Sequence, residues 1–420
     1  MDQIRIIGGT SLHGVVEVGG AKNAALPILA ASLLGGGECI IDHVPQVQDL
    51  VTMGKLLALL GVDVQIDGGR VILEASNVQS IEAPYDLVKT MRASILALGP
   101  LLTRLGEAKV SLPGGCAIGT RPVTLHLKGL TMMGAEIHVE HGYIHAKASR
   151  LKGARIDLDF PTVTGTENLI MAACLAEGTT SLHHVAREPE IMDLCAFLTK
   201  RGAKIVGAGT DTITIEGVRE LHGASHRVMP DRVEAGTFVM AGAITGGDVT
   251  VKGCVTDHLG TMFTKIQEMG VELTEEDGEG VRVRRSTPLK AVEVKTLPYP
   301  GFPTDLQAQM MALMAVAEGT SVMTETIFEG RFLHVPELHR MGALIDVDGP
   351  HAVVKGVPRL AGAPVMASDL RASAGLVLAG LAAEGETIVS RVYHLDRGYE
   401  RLEEKLQALG AQVQRVREVI

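Results

Sequence analysis

KLLALLGVDVQI (55–66), GLTMMGAEIHV (129–139), FLTKRGAKIV (197–206), KIQEMGVELT (265–274), LHRMGALIDV (338–347) and KLQALGAQVQ (405–414) share one pattern. Each has apolar residues at helical spacing, then Gly-Ala or Gly-Val, then a strand-like alternation. The closing glycines are Gly61, Gly134, Gly202, Gly270, Gly342 and Gly410, and they recur at a near-constant interval of about 70 residues. A glycine just past a helix is the expected left-handed stop, because it carries no Cβ to clash there. Hairpin turn signals follow in several copies, as Asp67-Gly68-Gly69, His141-Gly142 and Asp348-Gly349-Pro350.

A second register repeats beside the first. Its helices are KNAALPILAASLL (22–34), VKTMRASILALGPLL (88–102), TENLIMAACLA (166–176), EAGTFVMAGAI (234–244), TDLQAQMMALMAVA (304–317) and LRASAGLVLAGLAA (370–383). They are apolar almost all round, which predicts burial, whereas the first set carries charge and should face solvent. The expected fold is therefore α/β (α+β), built from six repeated units of about 70 residues. The simplest packing is two domains of three units, with these helices inside and the sheets outside. Accidental recurrence would not hold two registers in step through six copies. The stretch from Gly106 to Gly134 is longer than its five counterparts, and its extra residues lie in LPGGCAIGTRPV (112–123). An enlarged, glycine-rich loop on a regular scaffold is where a lid or catalytic loop is expected.

Composition narrows the function. The chain has 420 residues, 46% of them hydrophobic and 3% aromatic, with a formal net charge of −10. So few rings and so much negative charge argue against a nucleic-acid partner or an anionic membrane surface. Five widely spaced cysteines, Cys39, Cys116, Cys174, Cys195 and Cys254, with no CxxC, point to free thiols in a reducing compartment. MDQIRIIGG does not read as a signal peptide, and no apolar run is long enough to span a membrane. A cytoplasmic enzyme of small molecules, with no obligate protein partner, is the expectation.

Several residues invite chemistry. Cys116 sits among Gly114, Gly115 and Gly119 with Arg121 nearby, which suits either a reactive thiol or an incidental loop cysteine. Cys174 and Cys195, among apolar neighbours, read as buried. Lys22 opens a helix, where a cation opposes the dipole; Asn23 reads as its N-cap. An anion held between Lys22 and the helix start would explain the lysine. Met91-Arg92-Ala93-Ser94 and Leu370-Arg371-Ala372-Ser373 place two more cations at helix starts; snorkelling to solvent accounts for one such arginine, and less well for two equivalent ones. Glu329-Gly330-Arg331-Phe332 and Asp396-Arg397-Gly398-Tyr399 occupy loops equivalent to the Cys116 loop. Asp305, after Thr304 as a cap, is ordinary helix-start chemistry, but it shares its register with Lys22 and Arg371. No metal motif and no ATP or NAD loop is present, so neither a metal nor a cofactor is expected.

GGAKNAALP (19–27), LPGGCAIGTRPV (112–123), AREPEI (186–191), FPTDLQAQ (302–309), TETIFEGRF (324–332), DLRAS (369–373) and HLDRGYE (394–400) resemble the enolpyruvyl transferases that act on UDP-N-acetylglucosamine, within the EPSP synthase family. The likeness runs over essentially the whole chain. It implies a two-domain inside-out α/β barrel, with residues 22–229 in one domain and 1–21 plus 230–420 in the other, and the active site between them. It implies transfer of the enolpyruvyl group of phosphoenolpyruvate to the 3′-hydroxyl of UDP-N-acetylglucosamine, the first committed step of peptidoglycan synthesis and the target of fosfomycin. The matching positions make Cys116 the proton donor and attachment point and put Asp305 at the sugar hydroxyl. Lys22, Asn23, Arg121, Arg371 and Arg397 fall on phosphoenolpyruvate, Lys22 and Arg397 being counted as catalytic. Asn23, Arg92, Arg121, Pro122, Val123, Thr124, Leu125, Val163, Thr164, Asp305 and Ile327 fall on the UDP-sugar. Thr124 stands where some members have Asp, and Pro161 where some have Lys. Transfer to shikimate 3-phosphate is the nearest alternative reaction, and a non-catalytic repeat scaffold the nearest alternative of another class.

Overall fold

The six repeat glycines end six helices in the same way. Gly61, Gly134, Gly202, Gly270, Gly342 and Gly410 are all left-handed, with φ between 88° and 103°. Each makes the paired bonds of a Schellman stop, as in Gly61 N to Ala58 O at 3.1 Å and Val62 N to Leu57 O at 3.0 Å. The helices so ended are Gln48–Leu60, Thr124–Met132, Pro189–Lys200, Gly260–Glu268, Val335–Arg340 and Leu402–Ala408. The hairpin signals also hold, with Gly68, Gly142 and Gly349 at positive φ in tight turns. The computed structural model describes residues 2–112, 123–276, 278 and 280–417.

Among the described residues, the strands form six four-stranded sheets of one plan. In one, Arg155–Asp157 lies parallel to Thr179–His183, which pairs antiparallel with Thr212–Glu216, which pairs antiparallel with Lys204–Val206. The parallel pair requires a crossover, and Val163–Ala173 supplies it as a buried helix. The repeat is permuted at the chain ends. The sixth hairpin is split between Gln412–Arg417 and Asp2–Ile7, which pair antiparallel. His13–Glu17 pairs in parallel with Asp248–Lys252.

The chain divides into two compact units, residues up to 19 with those from 230 onward, and residues 20 to 229 apart from the undescribed loop. Each has three sheets and its own hydrophobic core. In the first, helices Arg232–Thr245, Gln307–Ala315 and Leu370–Ala382 pack on one another. In the second, Lys22–Ala31, Leu98–Leu105 and Val163–Ala173 hold the corresponding places; the first and third are buried along most of their length, and Leu98–Leu105 over Leu98–Leu102. A fully buried Leu or Ile contributes roughly 1.5–3 kcal/mol, so packing rather than helix propensity holds these short helices.

One expected helix is broken. The stretch 88–102 contains the 3-10 turn Arg92–Ala97 followed by the α-helix Leu98–Leu105. Pro100 cannot donate and its ring crowds the carbonyl four residues back, so it sits in the first turn. The amide of neighbouring Gly99 is taken instead by Asn168 Oδ1, at 2.6 Å.

The left-handed stops can be tested one by one. A Cβ at Gly134 would meet nothing within 4 Å, whereas one at Gly61 would lie 2.7 Å from the Asn77 carbonyl oxygen. Gly134→Ala should therefore cost about 1–2 kcal/mol, read from urea unfolding, and Gly61→Ala should cost more.

Candidate active site

In the unit spanning 20–229, the candidate residues gather at helix starts. Lys22 is the first residue of its helix, and the N-cap is Ala21, with no side-chain capping bond. Asn23 is thus inside the helix rather than its cap, which corrects the sequence reading. Gly20 is required just before, because a Cβ there would lie 1.6 Å from the His43 carbonyl oxygen. Lys22 is buried, and its Nζ donates to Asp49 Oδ2 at 3.1 Å. Asp49 lies in the first turn of Gln48–Leu60. A cation at a helix start thus has an internal carboxylate to offset the dipole, which the sequence did not reveal.

Arg92 begins the turn Arg92–Ala97, and Val123 precedes the helix Thr124–Met132. Thr124 is exposed, while Arg92, Leu125, Val163 and Thr164 are half-buried. His126, which sequence reasoning passed over, ties several of these together. Asn168 presents its Oδ1 to Gly99 N, and its Nδ2 donates to Ile95 O at 2.8 Å and to His126 Nδ1 at 3.2 Å. The proton of the ring therefore sits on Nε2, which donates to Thr164 Oγ1 at 3.3 Å. Burial, helped by the positive charge of Arg92, pushes the imidazole down to about 4. His126 is neutral near pH 7, and Thr164 keeps its own hydroxyl hydrogen for another acceptor.

In the other unit a second cluster forms. Arg371 lies in the first turn of Leu370–Ala382, whose N-cap is Asp369; the Asp369 carboxylate accepts from Arg371 N at 2.9 Å and Ala372 N at 3.0 Å. Arg371 Nη2 donates to Asp305 Oδ2 at 2.8 Å, and Arg331 Nη2 donates to Asp305 Oδ1 at 2.9 Å. Burial would raise the Asp305 carboxyl, but the two guanidinium groups outweigh it and hold the group well below its ordinary range. Thr304 is not a cap. Its hydroxyl donates to Glu325 Oε2 and accepts from Arg331 Nη1, both at 2.8 Å, and Pro303 takes the cap position of the turn Thr304–Leu306.

Glu325, also unforeseen, organises the loop that carries Ile327 and Arg331. Its carboxylate accepts from Ile327 N at 2.7 Å, Phe328 N at 3.1 Å and Thr296 Oγ1 at 2.8 Å. Behind Arg371 lies Tyr399, whose ring centroid is 5.6 Å from the guanidinium carbon. The Tyr399 hydroxyl bonds Thr237 Oγ1 at 2.9 Å and Gln309 Nε2 at 3.1 Å. Arg397 is half-buried at the end of Val392–Arg397. Glu325 and Tyr399 both lie inside motifs singled out in the sequence, but nothing in the pattern distinguished them from their neighbours.

Cys116, Arg121 and Pro122 lie outside the described residues. Cys39, Cys174, Cys195 and Cys254 are buried. Burial pushes the Cys195 and Cys254 thiols up to about 12 and Cys174 higher still, so these are poor thiolates. Among the described residues, no three His, Cys, Asp or Glu side chains are grouped as a metal would need.

The profile of EPSP synthase (3-phosphoshikimate 1-carboxyvinyltransferase) matches residues 6–406. The chain belongs to the EPSP synthase family. Within that family it is 58% identical over its full length to a protein of Gluconacetobacter diazotrophicus, and 57% identical over 99% of its length to one of Magnetococcus marinus. The chain covers 100% of each, and both bear the name UDP-N-acetylglucosamine 1-carboxyvinyltransferase. Among solved structures it is similar to the enolpyruvyl transferase NikO from Streptomyces tendae, with a TM-score of 0.89 at 28% identity, covering 99% of this chain and 98% of that one. The EPSP synthase of Acinetobacter baumannii shares the fold, with a TM-score of 0.76 at 19% identity over 99% of this chain and 100% of that one.

The neutral state of His126 has a thermodynamic signature. Its pKa is depressed in the folded chain, from 6.5 to about 4. The stability it lends is complete above pH 6.5 and is lost as pH falls toward 4, by up to about 3 kcal/mol. Unfolding midpoints measured across that window should fall less steeply for His126→Asn than for the parent chain.

Proposed function

We infer that this chain transfers the enolpyruvyl group of phosphoenolpyruvate to the 3′-hydroxyl of UDP-N-acetylglucosamine and releases phosphate. The observation that carries this is its 57–58% identity, over 99–100% of its length, to proteins named for that reaction. In a cell it would serve peptidoglycan synthesis, in the cytoplasm.

The chemistry sets the roles. The sugar oxygen bonds to C2 of phosphoenolpyruvate while C3 gains a proton; then the C2–O bond to phosphate breaks and C3 loses a proton. Cys116 is our candidate to deliver the proton to C3, and Asp305 to take the one leaving the hydroxyl. Lys22, Arg121, Arg371 and Arg397, with Asn23, are assigned to the phosphate and carboxylate, where fixed positive charge lowers the barrier to phosphate departure. Arg92, Pro122, Val123, Thr124, Leu125, Val163, Thr164 and Ile327 are assigned to the UDP-sugar. The hydroxyl of Thr164, with its hydrogen uncommitted to His126, suits an acceptor on that ligand.

Phosphate release should be seen with phosphoenolpyruvate and UDP-N-acetylglucosamine, and should persist in EDTA. Release with shikimate 3-phosphate alone would move the assignment to the other reaction; release with neither acceptor would favour a scaffold. Asp305→Asn should lower turnover by roughly a hundredfold or more, with UDP-sugar binding kept. Unaltered turnover would remove Asp305 from the chemistry. Fosfomycin should alkylate Cys116, and peptide mapping that finds the adduct elsewhere contradicts its role. Cys116→Asp should keep more activity than Cys116→Ser, since a hydroxyl is the far weaker acid.

A further inference from the structure

Asp305 as it stands is a poor base. Each of its oxygens accepts from a guanidinium, Oδ1 from Arg331 and Oδ2 from Arg371. Both arginines are almost wholly buried, with side-chain exposures of 7% and 5%, while Asp305 keeps 26%. A carboxylate held by two charge-assisted bonds has little affinity for a further proton. The same two guanidiniums are fixed from behind. Arg331 also donates to Thr304 Oγ1, itself bonded to Glu325, and Arg371 lies over the Tyr399 ring with Asp231 adding negative charge. His334 is pushed down to about 4, chiefly by burial, and so contributes no positive charge. The cluster of Arg331, Arg371 and Asp305 is thus a rigid pair of cations whose most exposed member is the single anion between them.

That is the architecture of an anion site whose occupant belongs to the protein. We propose that Asp305 is the resident anion of the Arg331–Arg371 pair and is exchanged for an anionic group of phosphoenolpyruvate during the reaction. Arrival of the substrate anion takes N–H donors from Asp305 and leaves one of its oxygens open. That oxygen then accepts the proton of the sugar hydroxyl: the O–H bond breaks, the proton goes to the carboxylate, and the electron pair stays on the sugar oxygen to bond C2. Base activation is in this way tied to the presence of the second substrate, so the hydroxyl is not deprotonated before there is an acceptor for it. Arg331 gains a defined part, as a positioning residue that restrains Asp305 and then receives the anion. The inference rests on Asp305 being the base of the proposed reaction.

Competition between an internal and an external anion is measurable without turnover. Inorganic phosphate binding to the full chain, followed by calorimetry, should strengthen roughly tenfold in Asp305→Asn, because the two guanidiniums lose their resident carboxylate. The gain should vanish when Arg331→Gln is added to Asp305→Asn. Asp305→Ala serves as the second variant, with the melting temperature of each checking that it is folded. Affinity that is unchanged or weaker in both Asp305 variants overturns the exchange, as does a gain that survives Arg331→Gln. Turnover separates this from the functional reading: phosphate affinity that rises while Asp305→Asn keeps full turnover would leave the exchange standing and remove Asp305 as the base.

Discussion

Among the described residues, six helices are largely buried, and that constraint limits where polar chemistry can go. Leu26, Ile28 and Leu29, Leu98 and Leu101, Leu169 and Ile170, Phe238 and Val239, Met310 and Leu313, and Leu376 and Leu378 all lie in the cores. Little lateral face is left for a charged group; Glu167, within Val163–Ala173, and Arg104, in the last turn of Leu98–Leu105, are exceptions. The ends are left, and the N-terminal ends carry Lys22, Arg92, Thr164, Arg232, Asp305 and Arg371. A repeat that buries one helix per unit thereby presents one polar end per unit. Between those ends the flanks are mostly Ala, Leu, Ile, Val, Met and Gly.

Cations at helix starts are electrostatically misplaced, since unbonded amides already carry positive charge there. The chain meets this with internal carboxylates. Asp49 accepts from Lys22, and Asp305 accepts from both Arg371 and Arg331. Breaking such a buried pair by removing one partner costs about 3–5 kcal/mol, so each carboxylate is a stabiliser of the resting chain. In the proposed reaction each would also compete with a substrate anion for its cation. On that reading, stability without ligand and affinity for ligand are set by the same few atoms.

Much of the fold was legible because the repeat glycines have a single physical meaning. Gly61 and its five counterparts could stop helices in only one way, and the alternation after them could only be a strand. The apolar helices were legible by their lack of any polar face. What the pattern hid was pairing across long separations. Asn23 looked like a cap because its type suits one, yet the helix begins a residue earlier, at Lys22. Thr304 looked like a cap for the same reason, but its hydroxyl is claimed by Glu325 and Arg331. Lys22 seemed to lack a structural motive because Asp49 sits 27 residues away. His126 carried no signal beyond its place two residues after Thr124. Pro100 carried a local signal, and the stretch expected as one helix over 88–102 divides just before it, whereas Pro27 sits within the unbroken helix Lys22–Ala31.

The account depends on the charge state of Asp305. Carbon-13 resonance of aspartate carboxyls, with the Asp305 signal identified by its loss in Asp305→Asn, reads that state directly. Held by Arg331 and Arg371, the carboxylate should stay ionised and its shift constant down to the lowest pH at which the chain remains folded. Titration at or above the ordinary aspartate value of about 3.9 would mean that the two guanidiniums do not hold it, and the picture of a carboxylate resident in its own anion site would be wrong.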